Sequence, residues 1–439
     1  MAVAANWLLP AARAWGHEKA GATAAPAARI VGGSLPDLAR IRSLLDQRRP
    51  GHTLPQGLYL DAESFDFDLE AIFGRSWLLV GFEPELPRAG AHMALTIGRA
   101  PIFITRGRDG ALRAFHNTCR HRGSRILADG KGASARLVCP YHRWTYDLDG
   151  ALVHAARMGE DFQACDHGLA PISVETCAGG IYVCLSADPP PFETFRSSLE
   201  PLLAPHRVAE AKVAHETSFI ERANWKLAME NARECYHCAT SHPELSLTFP
   251  TGVSANFDYG EDARRQGAYN ARMASLGLGV GPCEEDWWTA IRFPLNEGCQ
   301  SMTMDGATAV RRLMVEAGGG DIGSLRWAIE PNAFVHATAD FLFMFTVMPI
   351  SPRETLVSSK WLVHKDAKEG VDYDLGHLTE LWNRTNQQDL GLVENNQLGV
   401  ESPGYRPGPY CADAEALTLR FTDWYCAKAR SYLEAAHVA

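Results

Sequence analysis

No stretch of about 18 consecutive apolar residues occurs in this chain, so no transmembrane helix is expected. The longest candidate, FLFMFTVMP (residues 341–349), is strand-length and rich in aromatics. The sequence also lacks a basic excess: 42 Lys and Arg stand against 52 Asp and Glu, a formal charge of −10. Phosphate binding needs a basic face, so this balance argues against a nucleic-acid partner. The N-terminal stretch MAVAANWLLPAARAWGHEKAGATAAPAARIVGG has no basic region ahead of its apolar patch. It is read as a disordered extension over residues 1–34 rather than a secretory signal. No internal repeat is present, nor any low-complexity tract beyond that N-terminus. Without a signal peptide, the 11 cysteines do not suggest a disulfide framework. In a reducing, cytoplasmic setting they are expected to be buried thiols or metal ligands.

What is present is globular in character. Hydrophobic residues make up 46 % and charged residues 21 % of the 439. At roughly 150 residues per domain, the length allows two or three domains. Helical periodicity places Leu38, Ile41, Leu44 and Leu45 on one face of residues 35–49, and DFDLEAIFGRSW (66–77) reads as a second helix. These two form an N-terminal helical segment over 35–77. From 78 to 190 the pattern is short strands and turns. Asp109-Gly110 and Asp149-Gly150 each sit between alternating runs, the strongest short-range hairpin signal, and GGIYVCL (179–185) is a further strand. From 191 to 439 helices and strands mix. NWKLAMENARECYHCAT (224–240) and DLGHLTELWNRTNQQDLGLVENNQLG (374–399) are helical, and the runs at 342–351 and 355–367 read as adjacent antiparallel strands.

Two cysteines and two histidines fall in the β-rich region. HNTCRHRGSR supplies Cys119 and His121, and LVCPYHRWTY supplies Cys139 and His142. Two thiolates with two imidazoles fit a tetrahedral structural zinc or a Rieske [2Fe–2S] cluster, in which cysteines hold one iron and histidines the other. Zinc fingers pair Cys with Cys and His with His along the chain. Here each loop carries one of each, which suits a binuclear cluster that both loops span. Gly123 and Pro140 read as loop-shaping, and Tyr141 and Trp144 as cluster packing or ordinary core.

The second constellation lies in NARECYHCATSHPEL (231–245). Glu234 and His237, three apart, share a helix face. His237 and His242 are five apart, about 140° round a straight helix, and cannot converge on one. Pro243 disfavours helical geometry at His242, so the helix is expected to end there and let the second histidine swing back. Two histidines with one carboxylate form the facial triad of non-haem Fe(II) oxygenases. A zinc site from Cys235, Cys238 and His242 is the rival, without a second cysteine pair to complete it. Outside that reading, Cys235 and Cys238 are small buried thiols.

The motifs CRHRG…CPYHRW and NWKLAMENARECYHCATSHPEL resemble those of the terminal oxygenase (alpha) components of Rieske non-haem iron oxygenases. The resemblance covers about residues 50–430. It implies an α+β chain in which an N-terminal all-β Rieske domain (78–190) precedes a C-terminal α/β catalytic domain (191–439). The catalytic domain would be built on an antiparallel sheet of helix-grip, START-like form. It implies that Cys119, His121, Cys139 and His142 hold the [2Fe–2S] cluster, and that His237, His242 and Asp389 hold a mononuclear Fe(II). Asp389 comes from NRTNQQDLGLVENNQ (383–397), which is similar to the segment that carries the family's third ligand. Read without the resemblance, it is a solvated helix aspartate.

The resemblance implies that Glu234 takes the position that bridges electrons from the cluster of a neighbouring protomer to the iron, and with it a head-to-tail homotrimer. That position is more often Asp in aromatic dioxygenases. Glutamate here, with the tail ENNQLGVESPGYRPGPY…FTDWY, is similar to the quaternary ammonium group of the family, which includes glycine betaine, carnitine and stachydrine oxygenases. The implied activity is O₂-dependent hydroxylation of an N-methyl group with release of formaldehyde. A flavin and iron–sulfur reductase would supply electrons from NAD(P)H. Trp287, Trp288, Phe343 and Phe345 are available to face a quaternary ammonium, or to fill the core. The alternatives are an aromatic-ring or aromatic-acid oxygenase, and a non-enzymatic electron carrier or zinc-stabilised binding protein.

Overall fold

The computed structural model describes residues 36–251 and 263–438; the extension read over residues 1–34 lies outside them. Two seven-stranded antiparallel sheets and one three-stranded sheet organise the chain. The first large sheet runs, in spatial order, Leu78–Phe82, Gly180–Cys184, Pro171–Cys177, Leu112–His116, Ala100–Arg106, Ala91–Ile97 and Gly130–Ala133. Its 100–106/112–116 hairpin closes on Asp109-Gly110: Asp109 Oδ1 accepts from Ala111 N at 3.1 Å, and Gly110 adopts φ +82°. Such a φ is cheap only for a residue without Cβ. The second Asp-Gly turn joins the short strands Thr145–Tyr146 and Leu152–His154. There a Cβ on Gly150 would come within 2.5 Å of the Phe115 ring.

Alternation along Ala100–Arg106 serves two cores. Ile102 and Ile104 enter the main apolar cluster, while Phe103 points into a smaller one shared with Phe115, Leu137, Trp144 and Tyr146. That smaller cluster seats Cys119 and Cys139.

The second large sheet runs Lys212–Glu221, Glu354–Val363, Phe341–Ser351, Ala333–Ala337, Ser324–Ile329, Trp288–Phe293 and Cys283–Glu285. Strand Ser324–Ile329 is buried at every position, because both faces are covered. One face presents Trp327 and Ile329 to Phe195, Leu199 and Leu202 of helix Glu193–Leu203. On the other, the register aligns Arg326, His336, Phe343 and Trp361 across four strands. Helix Leu375–Glu401 lies over this row, and Trp382 stacks on Phe343 at 4.1 Å and 8°.

That long helix starts at Asp374, whose side chain accepts from His377 N at 3.0 Å, an N-cap satisfying one orphan amide. Its buried residues Leu378, Leu381, Trp382, Thr385 and Asn386 recur every three or four positions and fix the helix's rotation.

Two helical readings need correction. The stretch 66–77 is a succession of helix Ala62–Phe67, a π-turn Asp68–Ile72 and a 3₁₀ turn Phe73–Arg75. The stretch 224–240 is not one helix: Trp225–Asn231 ends, a turn follows, and a single helical turn resumes at Cys238–Ser241. The N-terminal helix occupies Leu38–Asp46 and packs against the C-terminal helix Ala416–Val438, where Arg430 pairs with Asp46 at 3.0 Å. No helix among the described residues is long and apolar enough to cross a membrane.

Candidate metal centres and active site

Cys119 and His121 leave the sheet after His116, and Cys139 and His142 follow strand Leu137–Val138. The two loops fold alike. Gly123 N donates to Cys119 O at 2.9 Å and Arg143 N to Cys139 O at 3.1 Å; the donors adopt φ +76° and +62°. Both thiols are buried while both imidazoles are exposed. Tyr146 OH lies 3.3 Å from Cys119 Sγ, and the two thiols interact with each other. The histidines bring Nδ1 to Nδ1 at 3.1 Å, with His121 stacked on Trp144 and His142 on Tyr141. Two thiols inside and two imidazole nitrogens outside, converging on one point, fit a cluster with unlike irons.

The second group forms at the broken helix. Asn224 caps Trp225–Asn231 by accepting from Lys226 N at 3.0 Å. Below it, Lys226 and Asp68 form a fully buried ion pair, to which Trp225 Nε1 and Tyr425 OH also donate. The chain then turns, and His242 closes the next helical turn ahead of Pro243. His237 Nε2 and His242 Nε2 lie 3.0 Å apart. Asp389 Oδ1, from helix Leu375–Glu401, is 3.0 Å from His242 Nε2 and 3.3 Å from His237 Nε2.

The opposite ring nitrogens are held as well: His237 Nδ1 by Glu234 Oε1 at 2.5 Å and His242 Nδ1 by Gln388 Oε1 at 2.7 Å. Partners of this kind set the tautomer and orientation of a ligating imidazole. Burial disfavours a charged His237, yet hydrogen bonds to Asp389 and Glu234 prevail and raise it to about 9. Burial likewise opposes ionisation of Asp389, and the two imidazoles prevail in holding it below the usual carboxylate range. The three donors therefore draw positive charge to one point, and they fit a divalent cation with positions left open.

Each candidate residue thus falls in one of two clusters, with Glu234 on the imidazole of His237. The expectation of small buried thiols at 235 and 238 fails. Cys235 and Cys238 form a disulfide with Cα atoms 4.8 Å apart, and Cys235 is only half-buried. Their three-residue spacing across a tight turn brings the sulfurs together. Cys238 Sγ lies within 4.8 Å of the His237 and His242 nitrogens, but the disulfide leaves neither thiol for the rival zinc site.

Gln388 and Asn231, whose Nδ2 is 3.5 Å from His237 Nε2, escaped sequence reasoning. Gln388's adjacency to Asp389 was the available signal. Glu221 also escaped; burial first, then the charge of Asp389, pushes it up to about 8.

A cavity of about 400 Å³ opens beside the three donors, lined by Phe249, Arg326, Phe334, Phe345 and Trp382. Of the four aromatics considered from sequence, Phe345 reaches it. Phe343 stacks behind Trp382, and Trp287 and Trp288 pack on Phe195.

Comparison with known proteins agrees with this layout. The Rieske [2Fe-2S] domain model matches residues 76–172, and the ring hydroxylating alpha subunit (catalytic domain) model matches 207–431. The chain is 42 % identical over 413 residues to the glycine betaine monooxygenase oxygenase subunit of Pseudomonas aeruginosa PAO1, covering 90 % of this chain and 94 % of that one. The Chromohalobacter salexigens protein of the same name is 42 % identical over 401 residues, 89 % of each. A solved quaternary ammonium Rieske monooxygenase, described for carnitine oxidation by gut microbiota and for inter-subunit electron transfer, shares the fold. Its TM-score is 0.68 at 21 % identity, covering 89 % of this chain and 98 % of that one.

Proposed function

The chain belongs to the ring-hydroxylating alpha-subunit family with an N-terminal Rieske domain, and we propose that it is the terminal oxygenase that hydroxylates an N-methyl group of a quaternary ammonium compound. The hemiaminal then collapses to formaldehyde and the demethylated amine. Glycine betaine, proline betaine or a similar betaine is the substrate class, supported by the two relatives named for glycine betaine.

Cys119, His121, Cys139 and His142 would hold a [2Fe–2S] cluster, and His237, His242 and Asp389 a mononuclear Fe(II). When bound, that iron would supply O₂ activation, and the cluster would supply electrons drawn from NAD(P)H through a flavin and iron–sulfur reductase. Glu234 and Gln388 orient the two imidazoles from behind, so that their Nε2 atoms and Asp389 converge beside the cavity that would take the substrate. Phe249, Phe334, Phe345 and Trp382 exclude water and offer ring faces to a quaternary nitrogen, at about 0.5–2 kcal/mol per ring. Glu234 would also accept a hydrogen bond from the imidazole N–H of His121 or His142 on the cluster loop of an adjacent protomer in a head-to-tail homotrimer. The inter-subunit electron transfer described for the solved relative supports this role. A cytoplasmic location follows from the supply of NAD(P)H.

The observation that carries the reading is the convergence of His237, His242 and Asp389, within 3.3 Å of one another, on the wall of an aromatic-lined cavity. The test reconstitutes the protein with a reductase and measures metal content, O₂ uptake and formaldehyde on a betaine panel. About three irons per chain and formaldehyde matched to O₂ are expected. A diol or phenol without formaldehyde would move the protein to the aromatic oxygenases, and zinc without brown colour would falsify both iron assignments.

A further inference from the structure

Arg326 stands in the middle of strand Ser324–Ile329, only 7 % exposed, and lines the cavity beside the three metal-binding candidates. Its guanidinium carries five N–H donors. Among the described residues it makes one hydrogen bond, from Nη2 to Ala232 O at 3.3 Å, and no ion pair. Glu330 is gripped by Arg233 at 2.9 and 2.8 Å, and it reaches Arg326 through its charge without a hydrogen bond.

The Phe334 ring lies 5.8 Å from the guanidinium carbon and stacks in turn on Phe345. His336 sits directly across the strand pair, held by Ser324 Oγ at 3.0 Å and kept uncharged by burial and by Arg326 itself. Burial and the Arg233 charge weaken Arg326's own hold on its proton, down to about 9. Two buried guanidiniums thus share the charge of one carboxylate, and the Arg326 fork matches a further carboxylate with two parallel hydrogen bonds. Its unused donors on the cavity wall suit an anionic group carried by whatever fills the cavity.

We infer that Arg326 is the residue of the active-site cavity that binds the substrate's carboxylate, and that it is what sets a betaine apart from a purely cationic or alcohol-bearing amine. The inference rests on the proposed N-methyl hydroxylation at that cavity and adds the chemistry of the substrate's other end. The guanidinium repels a quaternary nitrogen as strongly as it attracts a carboxylate. A zwitterion consequently enters one way round, its cation turned away from Arg326. The cavity's acids, Glu234, Asp389 and Asp413, favour the cation elsewhere on the wall.

The test uses the holoenzyme with its reductase and four probes: trimethylammonioacetate, its primary amide, choline and benzoate. In the unsubstituted protein, the KM for the amide and for choline should exceed that for the acid by at least about 30-fold, the cost of stranding one partner of a buried charge pair. Arg326→Met should raise the KM for the acid by the same factor while kcat falls less, and Arg326→Lys should recover part of the loss. Iron content and circular dichroism check that the variants are folded. If Arg326→Met does not fold, the acid–amide comparison decides alone. Equal KM for acid and amide, or an unchanged KM in folded Arg326→Met, overturns the carboxylate assignment and leaves demethylation standing. Turnover of benzoate but of no trimethylammonium compound, lost in Arg326→Met, upholds the assignment and overturns demethylation instead.

Discussion

Arg233 grips Glu330 through two parallel hydrogen bonds, Nε to Oε1 at 2.9 Å and Nη2 to Oε2 at 2.8 Å, with both side chains buried. Nη2 also donates to the carbonyls of Ile329 and Ala333 at 3.1 Å each. The next residue in the chain is Glu234. The turn that carries Glu234 and His237 is therefore tied to the sheet by the Arg233 side chain, at the point where the helix Trp225–Asn231 has already ended.

Removing that tie leaves a carboxylate stranded. Arg233→Met is expected to cost about 3–5 kcal/mol of stability, read from urea unfolding, because Glu330 stays buried without its partner. Adding Glu330→Leu should restore most of the loss. A single variant that unfolds at the original urea midpoint would show that the pair contributes nothing.

Gln388 fixes His242 from the side opposite Asp389. Gln388→Ala keeps all three proposed iron ligands and should bind iron about 10–100-fold more weakly. Competition against a chelator of known affinity measures this. Undiminished affinity would mean that packing alone orients the ring.

Glu234 contacts the imidazole of His237 at 2.5 Å. Glu234→Gln preserves the shape and removes the charge. The cluster spectrum and iron content should persist while turnover falls steeply. Single-turnover reoxidation of the reduced cluster is the direct readout, and an unchanged rate would contradict the bridging role.

Glu230 is fully buried, accepts from Tyr59 OH at 2.7 Å, and is pushed up to about 7 chiefly by burial. Its unfolded value is 4.5, so between the two values only the folded state holds the proton. The stability contributed by Glu230 is thus greatest below 4.5, declines as pH rises towards 7, and is gone above it, a loss of about 3 kcal/mol at most. Glu230→Gln abolishes this titration. Thermal melts from pH 5 to 8 should fall less steeply in the variant than in the parent; parallel curves would remove Glu230 from the account.

Much of this arrangement was readable in the sequence because it depends on neighbours along the chain. Asp109-Gly110 closes its hairpin since glycine alone takes that φ without strain. C-x-H and C-x-x-H place one sulfur and one nitrogen on each loop whatever the loop rests on. Pro243 forces His242 off the helix, and the single turn ends at Ser241. The continuous helix expected over 224–240 failed for a tertiary reason. Arg233 is drawn sideways to Glu330, which is 97 residues away, and the helical pattern cannot register that pull.

The sequence determined which atoms could bind metal and roughly where the chain must turn. Those are local matters of spacing, backbone sterics and side-chain chemistry. Only the tertiary structure decided that Asp389 meets His242 across 147 residues, that Gln388 backs the same ring, and that Cys235 and Cys238 join as a disulfide. Tertiary structure also left Arg326 on the cavity wall with a single hydrogen bond. Convergence of this kind depends on how a helix is rotated by its buried face and how strands align in register. Both are set by packing against residues far away in the chain.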